Sequence, residues 1–194
     1  MKRGAGQVRI IGGRMRGRRL LVPEVPGLRP TPDRVRETLF NWLAPHISGM
    51  QVLDLFAGSG ALGLEAASRG AGAVTLVEQD RAAQATLRES LERLAQPEVR
   101  LVPGEALSFL ATDTGRYDLI LLDPPFAADL LGPALMAIAR HDRLSAGGFC
   151  YIEMPREAPM PALPAGWTLH RSGRAGEVGY HLLHVPQRDL PRDI

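Results

Sequence analysis

The sequence predicts an α/β fold, with a mostly parallel sheet covered by helices on both faces. Two observations carry this. Between residues 51 and 154, apolar runs of strand length alternate with amphipathic runs of helix length. The strand-like runs are continuously apolar, as strands buried on both faces must be. After Pro155 the pattern changes to a proline-rich stretch and two strand-like segments joined by a glycine-containing turn. That ending predicts an antiparallel hairpin closing the sheet edge.

In chain order, QVRIIGGRMRGRRLLVP (7–23) holds two short strand-like pieces around glycines. RPTPDRVRETLFNWLAPHI (29–47) starts a helix near Pro32–Asp33, with Thr31 or Asp33 as the expected cap. Val35, Leu39, Trp42 and Leu43 share one face of it and should pack on the body. QVLDLF (51–56) reads as a buried strand, and ALGLEAASRG (61–70) as a helix stopped by Gly70. AVTLVE (73–78) is the next strand, followed by an amphipathic helix over 81–95 capped by Asp80. VRLVP (99–103) and YDLILLD (117–123) are strands, EALSFLA (105–111) and LLGPALMAIARH (130–141) helices, and GGFCYIEM (147–154) a fifth strand of this series.

Composition bounds the function. The chain has 194 residues, 45% of them hydrophobic, which suits a globular core. No apolar run reaches the roughly 18 residues that span a bilayer, so a cytoplasmic protein without a membrane partner is expected. Cys150 is the one cysteine and reads as an inert strand thiol. His181 and His184 lie three apart in a strand and point to opposite faces, so no metal is expected. Residues 1–36 hold 10 Lys and Arg against 2 acids, a balance of +8, while residues 37–194 hold 13 against 19, a balance of −6. Nine of the ten N-terminal cations are arginine. Such an arm is either a solvated charge run or a surface for a polyanion, and arginine's forked geometry favours nucleic acid.

Gly58, Gly60 and Gly63 spell G-x-G-x-x-G between a strand and a helix, a loop in which a ligand can approach bare backbone. Glu78, at the end of the next strand, can accept hydrogen bonds from ribose hydroxyls. This spacing fits a nicotinamide dinucleotide or S-adenosylmethionine. Asp54, four residues before Gly58, would repel a pyrophosphate but would attract a sulfonium or an α-ammonium group; alternatively it bonds loop amides. Glu105 could reach the adenine amine or act as a helix N-terminal acid. Asp123-Pro124-Pro125-Phe126 ends the fourth strand of the series. Its prolines stiffen the loop and leave only acceptors: the Asp123 carboxylate and the Pro124 carbonyl. Two such acceptors can hold the hydrogens of an exocyclic base amine, and Phe126 can stack on the base.

These stretches resemble S-adenosylmethionine-dependent amino-methyltransferases with an (N/D)PP(Y/F) motif. RIIGGRMRGRRL, LRPTPDRVRETLFNWL, VLDLFAGSGALGLEAASRGA, LDPPF and RAGEVGYHLL together resemble the bacterial 16S ribosomal RNA guanine-N2 methyltransferases of small-subunit assembly. The resemblance implies a Rossmann-like class I methyltransferase fold, its seven-stranded sheet carrying the last strand antiparallel. It implies methyl transfer to the 2-amino group of one guanine of 16S RNA in an assembling 30S particle. By that pattern Asp54, Phe56, Gly58 and Gly60 line the methionine side of the cofactor. Glu78 holds the ribose and Glu105 lies near the adenine, with Ala57, Ser59, Gln79, Gly104 and Ala106 completing the cofactor set. Asp123, Pro124, Pro125 and Phe126 hold the target base. Phe126 stands where the family often has Tyr, and Glu105 where Asp is common. Arg9, Arg14, Arg16, Arg18, Arg19, Arg29 and Arg34 form the candidate RNA surface. Arg29, Thr31, Arg34 and Arg36 are placed at the site mouth, against either cofactor or RNA.

The expected organisation is a basic arm or hairpin over 1–30, a methyltransferase domain over 31–188 and a tail over 189–194, working as a monomer. Three other readings stay open on residues alone. They are a DNA or protein-glutamine methyltransferase, a nicotinamide-dependent oxidoreductase, and a non-catalytic RNA-binding assembly factor.

Overall fold

The computed structural model describes residues 6–23, 25 and 31–187; Arg29 and the tail over 189–194 lie outside the described residues. Strands β1 (Gln7–Arg9) and β2 (Arg19–Leu21) form an antiparallel hairpin. Helix α1 (Asp33–Leu43) leads into β3 (Gln51–Asp54), α2 (Ala61–Ser68), β4 (Ala73–Glu78), α3 (Arg81–Leu94) and β5 (Val99–Pro103). Then follow α4 (Ala106–Thr112), β6 (Tyr117–Leu122), α5 (Leu131–Arg140), β7 (Leu144–Pro155), β8 (Thr168–Ala175) and β9 (Val178–His184).

The main sheet has seven strands in the order β5-β4-β3-β6-β7-β9-β8. The first five are mutually parallel. The last, β9, inserts antiparallel between β7 and β8. A sheet with parallel neighbours needs crossovers, and these are the helices the amphipathic runs supplied. One face carries α1, α2 and α3 over Val52, Val74, Leu76, Leu119, Leu121, Phe149 and Tyr151. The other carries α4 and α5 over Leu53, Val77, Ile120, Leu122, Cys150 and Ile152. The Cys150 thiol is fully buried there, and burial raises its pKa.

The basic hairpin shares the first of these cores: Val8, Ile10, Met15 and Leu20 are all buried in it. Its connection turns against α2. Ile11 N and Gly12 N donate to the two oxygens of Glu65, each at 2.8 Å, and Met15 N donates to Ser68 Oγ at 2.9 Å.

At the start of α1 the expected caps are not used. The N-cap is Pro32, with no side-chain cap. Asp33 instead binds Arg36 at 2.6 Å and Arg9 at 3.0 Å. Thr31 turns its hydroxyl away, toward the sheet. Arg36, placed at the site mouth by the resemblance, is fully buried and turned into the protein. Its Nε donates to the Thr31 carbonyl at 3.2 Å, and its Nη2 to the Arg9 carbonyl at 2.9 Å. Nη1 faces Glu65 at 3.5 Å, with both side chains at 0% exposure. An arginine at that position in the helix is therefore a bracket joining hairpin, α1 and α2.

Arg36→Met should cost about 3 kcal/mol, the low end for stripping a buried pair, because Arg69 still binds Glu65 at 2.7 Å. Urea unfolding with an unchanged m-value would measure it.

Candidate active site

Parallel strands bring their C-terminal ends to one rim, and in this sheet each of four neighbouring strands delivers an acid there. Across β4, β3, β6 and β7 these are Glu78, Asp54, Asp123 and Glu153. All four fall on one face. Side chains alternate along a strand, and each acid lies two residues beyond a member of the core under α1 and α2: Leu76, Val52, Leu121 and Tyr151. Glu153 is a residue the sequence reading passed over. The signal was available, since Phe149, Tyr151 and Glu153 alternate as Leu119, Leu121 and Asp123 do.

Asp54 is 1% exposed. Its Oδ2 accepts from Gly63 N at 2.9 Å, while Oδ1 is buried with no hydrogen-bond partner. The loop-amide role and the free-carboxylate role thus fall to different oxygens of one side chain. Burial, and then the charges of Glu78 and Glu153, push its pKa up to about 7, while the Gly63 hydrogen bond and the nearby Phe56 amide pull it down. Gly63 lets helix and strand approach closely: a Cβ there would lie 2.3 Å from Leu76 Cδ2 and 3.1 Å from Asp54 Oδ2, so Leu76 would have to shift. The loop before it bends through Gly58 and Gly60 at φ 53° and 76°. Ala57 and Ser59 are buried, and Phe56 is half-buried.

Glu78 accepts from Gly58 N and Asp80 N, each at 2.7 Å. Each oxygen keeps a lone pair for a further donor. Gly104 N donates to the Glu78 carbonyl at 2.9 Å, and an added Cβ at Gly104 would meet nothing within 4 Å. The Gly104 α-carbon therefore faces open space beside the joined ends of β4 and β5. Gln79 is exposed and Ala106 buried. Glu105 is the N-cap of α4, accepting from Leu107 N at 3.0 Å and from Ser108 N at 2.8 Å. These bonds, led by that from Leu107, hold its pKa low.

Asp123 follows β6 directly, beside β7. Burial comes first, then the charges of Glu153 and Asp54, in raising its pKa well above the ordinary range; the Thr31 hydroxyl, 3.2 Å from Oδ2, works the other way. Pro124 is buried and Pro125 exposed. Phe126 is 45% exposed rather than in the core, so a face of its ring is available.

The candidate RNA surface divides. Arg16, Arg18 and Arg34 are exposed, and among the described residues no ion pair holds them. Arg14 is paired with Glu98, and Arg9 with Asp33. Arg19 is exposed, with Nη1 on Gln7 at 3.3 Å. Arg14 N bonds the carbonyl of Ser68, the last residue of α2, so this turn lies at the end of α2 remote from the glycine loop.

Comparison with known proteins now decides the lineage. The family model described as conserved hypothetical protein 95 matches residues 8–184. Ribosomal RNA small subunit methyltransferase D of Escherichia coli is 50% identical over 179 residues, covering 92% of this chain and 90% of the relative. The chain belongs to the methyltransferase D family. The Haemophilus influenzae member is 40% identical over 91% of this chain and 93% of its own length. The solved structure of the Escherichia coli protein yhhF matches with a TM-score of 0.85 at 48% identity, covering 94% of this chain and all of that one. That solved structure and this chain therefore share a fold over nearly their whole length.

Among the described residues no helix is long and apolar enough to cross a membrane, and no group of three His, Cys, Asp or Glu side chains could hold a metal ion.

Asp54 leads to a pH test. Its folded pKa of about 7 lies above the model-compound 3.8, so the folded chain binds the extra proton between roughly pH 4 and 7. This group's contribution to stability is present below that window and is lost as pH rises through it. Asp54→Asn should flatten that part of the stability profile, as followed by denaturant midpoints across the window.

Proposed function

We propose that the protein transfers a methyl group from S-adenosylmethionine to the N2 amine of one guanine in 16S ribosomal RNA, within an assembling 30S particle. Methyl transfer to ribosomal RNA is supported by what its relatives are named. The amine class is supported by the rim: Asp123, with the Pro124 carbonyl next to it in the chain, offers acceptors near Asp54, whose buried Oδ1 has no partner.

The residues fit a cationic cofactor. A buried carboxylate oxygen without a donor costs free energy until a cation or donor reaches it. When bound, S-adenosylmethionine supplies an electrophilic methyl group on a sulfonium. Asp54 Oδ1 would take its cationic end. Glu78 would accept from the ribose hydroxyls, Gly104 would leave room beside it, and Glu105 would border the adenine.

The target amine conjugates with its ring and is a weak nucleophile. Asp123 and the Pro124 carbonyl would hold its two hydrogens, favouring a tetrahedral nitrogen and taking up developing positive charge. Phe126 would stack on the displaced base. Arg16, Arg18 and Arg34 would meet phosphates.

Tritiated methyl transfer to 30S particles from a strain lacking the protein, followed by nucleoside mass spectrometry, tests the reading. N2-methylguanosine in 16S RNA is expected; label in another nucleoside, in DNA or in protein overturns the assignment. Asp123→Ala should lower kcat by about a hundredfold or more while leaving the cofactor Kd nearly unchanged. Arg16→Glu with Arg18→Glu should weaken RNA binding and reduce the salt slope by roughly two, as seen in filter binding at several salt concentrations.

A further inference from the structure

One hydroxyl stands between two carboxylates under the Asp123 rim. Thr31 Oγ1 lies 2.8 Å from Glu153 Oε1 and 3.2 Å from Asp123 Oδ2. Tyr151 Oη lies 2.9 Å from the same Glu153 oxygen. Thr31 is 4% exposed and Glu153 3%. A threonine hydroxyl has one proton and cannot donate to both acids.

When Thr31 donates to Glu153, its lone pair faces Asp123. That contact is favourable only if Asp123 carries a proton and donates it. When the hydroxyl is reversed, Thr31 donates to Asp123, and Glu153 must carry the proton. The geometry therefore suits a pair holding one proton, in either of two arrangements. Only the second leaves Asp123 an ionised carboxylate, the stronger acceptor for an amine and the form that can take a proton from it.

We propose that Asp123 and Glu153 share one proton through the Thr31 hydroxyl, and that its passage to Glu153 turns Asp123 into the acceptor of the target amine. This rests on the reading of Asp123 given above. In the passage, the Asp123 O–H bond breaks and its proton joins Thr31 Oγ1, while the original Thr31 proton moves to Glu153 Oε1. During methyl transfer the nitrogen lone pair forms the N–C bond, and the electron pair of the broken C–S bond stays on sulfur. The cationic nitrogen then gives a proton to Asp123. Both acids are now neutral, and one proton leaves to water as product departs. No further reagent is needed.

The surroundings favour one retained proton. Asp54 on β3 and Tyr180 on β9 face this cluster, Glu78 on β4 acts on Asp54 behind it, and Tyr151 stands within it. The cation in these contacts is Arg36 from α1, spent on the Thr31 carbonyl. Burial above all raises the pKa of both acids. Burial, then Glu153, also raises that of Tyr151, keeping it a donor.

Two measurements test the shared proton. In the protein without ligands, the carboxylic-acid C=O band in infrared difference spectra should titrate away at least about one pH unit lower in Glu153→Gln than in wild type. Identical titrations overturn the proposal. In turnover, Thr31→Val should lower kcat about tenfold or more with the cofactor Kd within about threefold, and Thr31→Ser should restore most of it. Wild-type kcat in Thr31→Val also overturns it. If wild type methylates no RNA amine, the functional reading fails, while the infrared titration still judges the proton pair.

Discussion

The guanidinium of Arg36 has no access to solvent and must place its N–H donors within the protein. It does so on the Arg9 carbonyl, the Thr31 carbonyl and Asp33, while Nη1 makes no hydrogen bond and faces Glu65 as an ion pair at 3.5 Å. Those partners belong to the hairpin, the entry to α1, α1 itself and α2. A buried charge is tolerated only where its partners are fixed, so each of these elements is held relative to the others. Glu65 repeats the logic from the other side, since it also receives the Ile11 and Gly12 amides and Arg69. The position of the Thr31 hydroxyl over the sheet is a consequence of this bracket. The polar floor of the candidate site is thus held partly by side chains buried beneath it.

The rim above that floor is electrostatically unfavourable as it stands. Glu78, Asp54, Asp123 and Glu153 occupy four adjacent strands on one face, and burial disfavours ionisation of the last three. A cationic ligand and a proton relieve this crowding in different places. Asp54 has an unpartnered oxygen for the first, and the Asp123–Thr31–Glu153 bridge accommodates the second. Affinity for a cation and readiness to accept a proton then have one origin, the packing of carboxylates at the end of a parallel sheet.

Local pattern made much of this legible. The runs at 73–78 and 99–103 match β4 and β5 residue for residue, because continuous apolar strands between turn residues leave little freedom. Asp80 caps α3 as its position implied. The run from 147 began too late, since β7 starts at Leu144 and continues through two glycines that read as a turn. Asp54, Glu78 and Asp123 stood out because each closes an apolar strand. Glu153 did not, being one acid inside a strand with Met154 and Pro155 beyond it. Local pattern offers Thr31 or Asp33 as a helix cap and the resemblance puts Thr31 at the site mouth, but its partners lie 92 and 122 residues away, beyond any local rule. Arg36 looked like part of a surface run because charge counts carry no information on burial.

Strand β9 lies between β7 and β8 but follows both in the chain. Until residues 178–184 are made, β7 has an open edge, and with it the backbone that carries Glu153. On a ribosome synthesising this protein, the five parallel strands can assemble in order of emergence, but the free side of β7 stays unsealed until nearly the last segment arrives. Nascent chains therefore cannot carry a finished acidic rim.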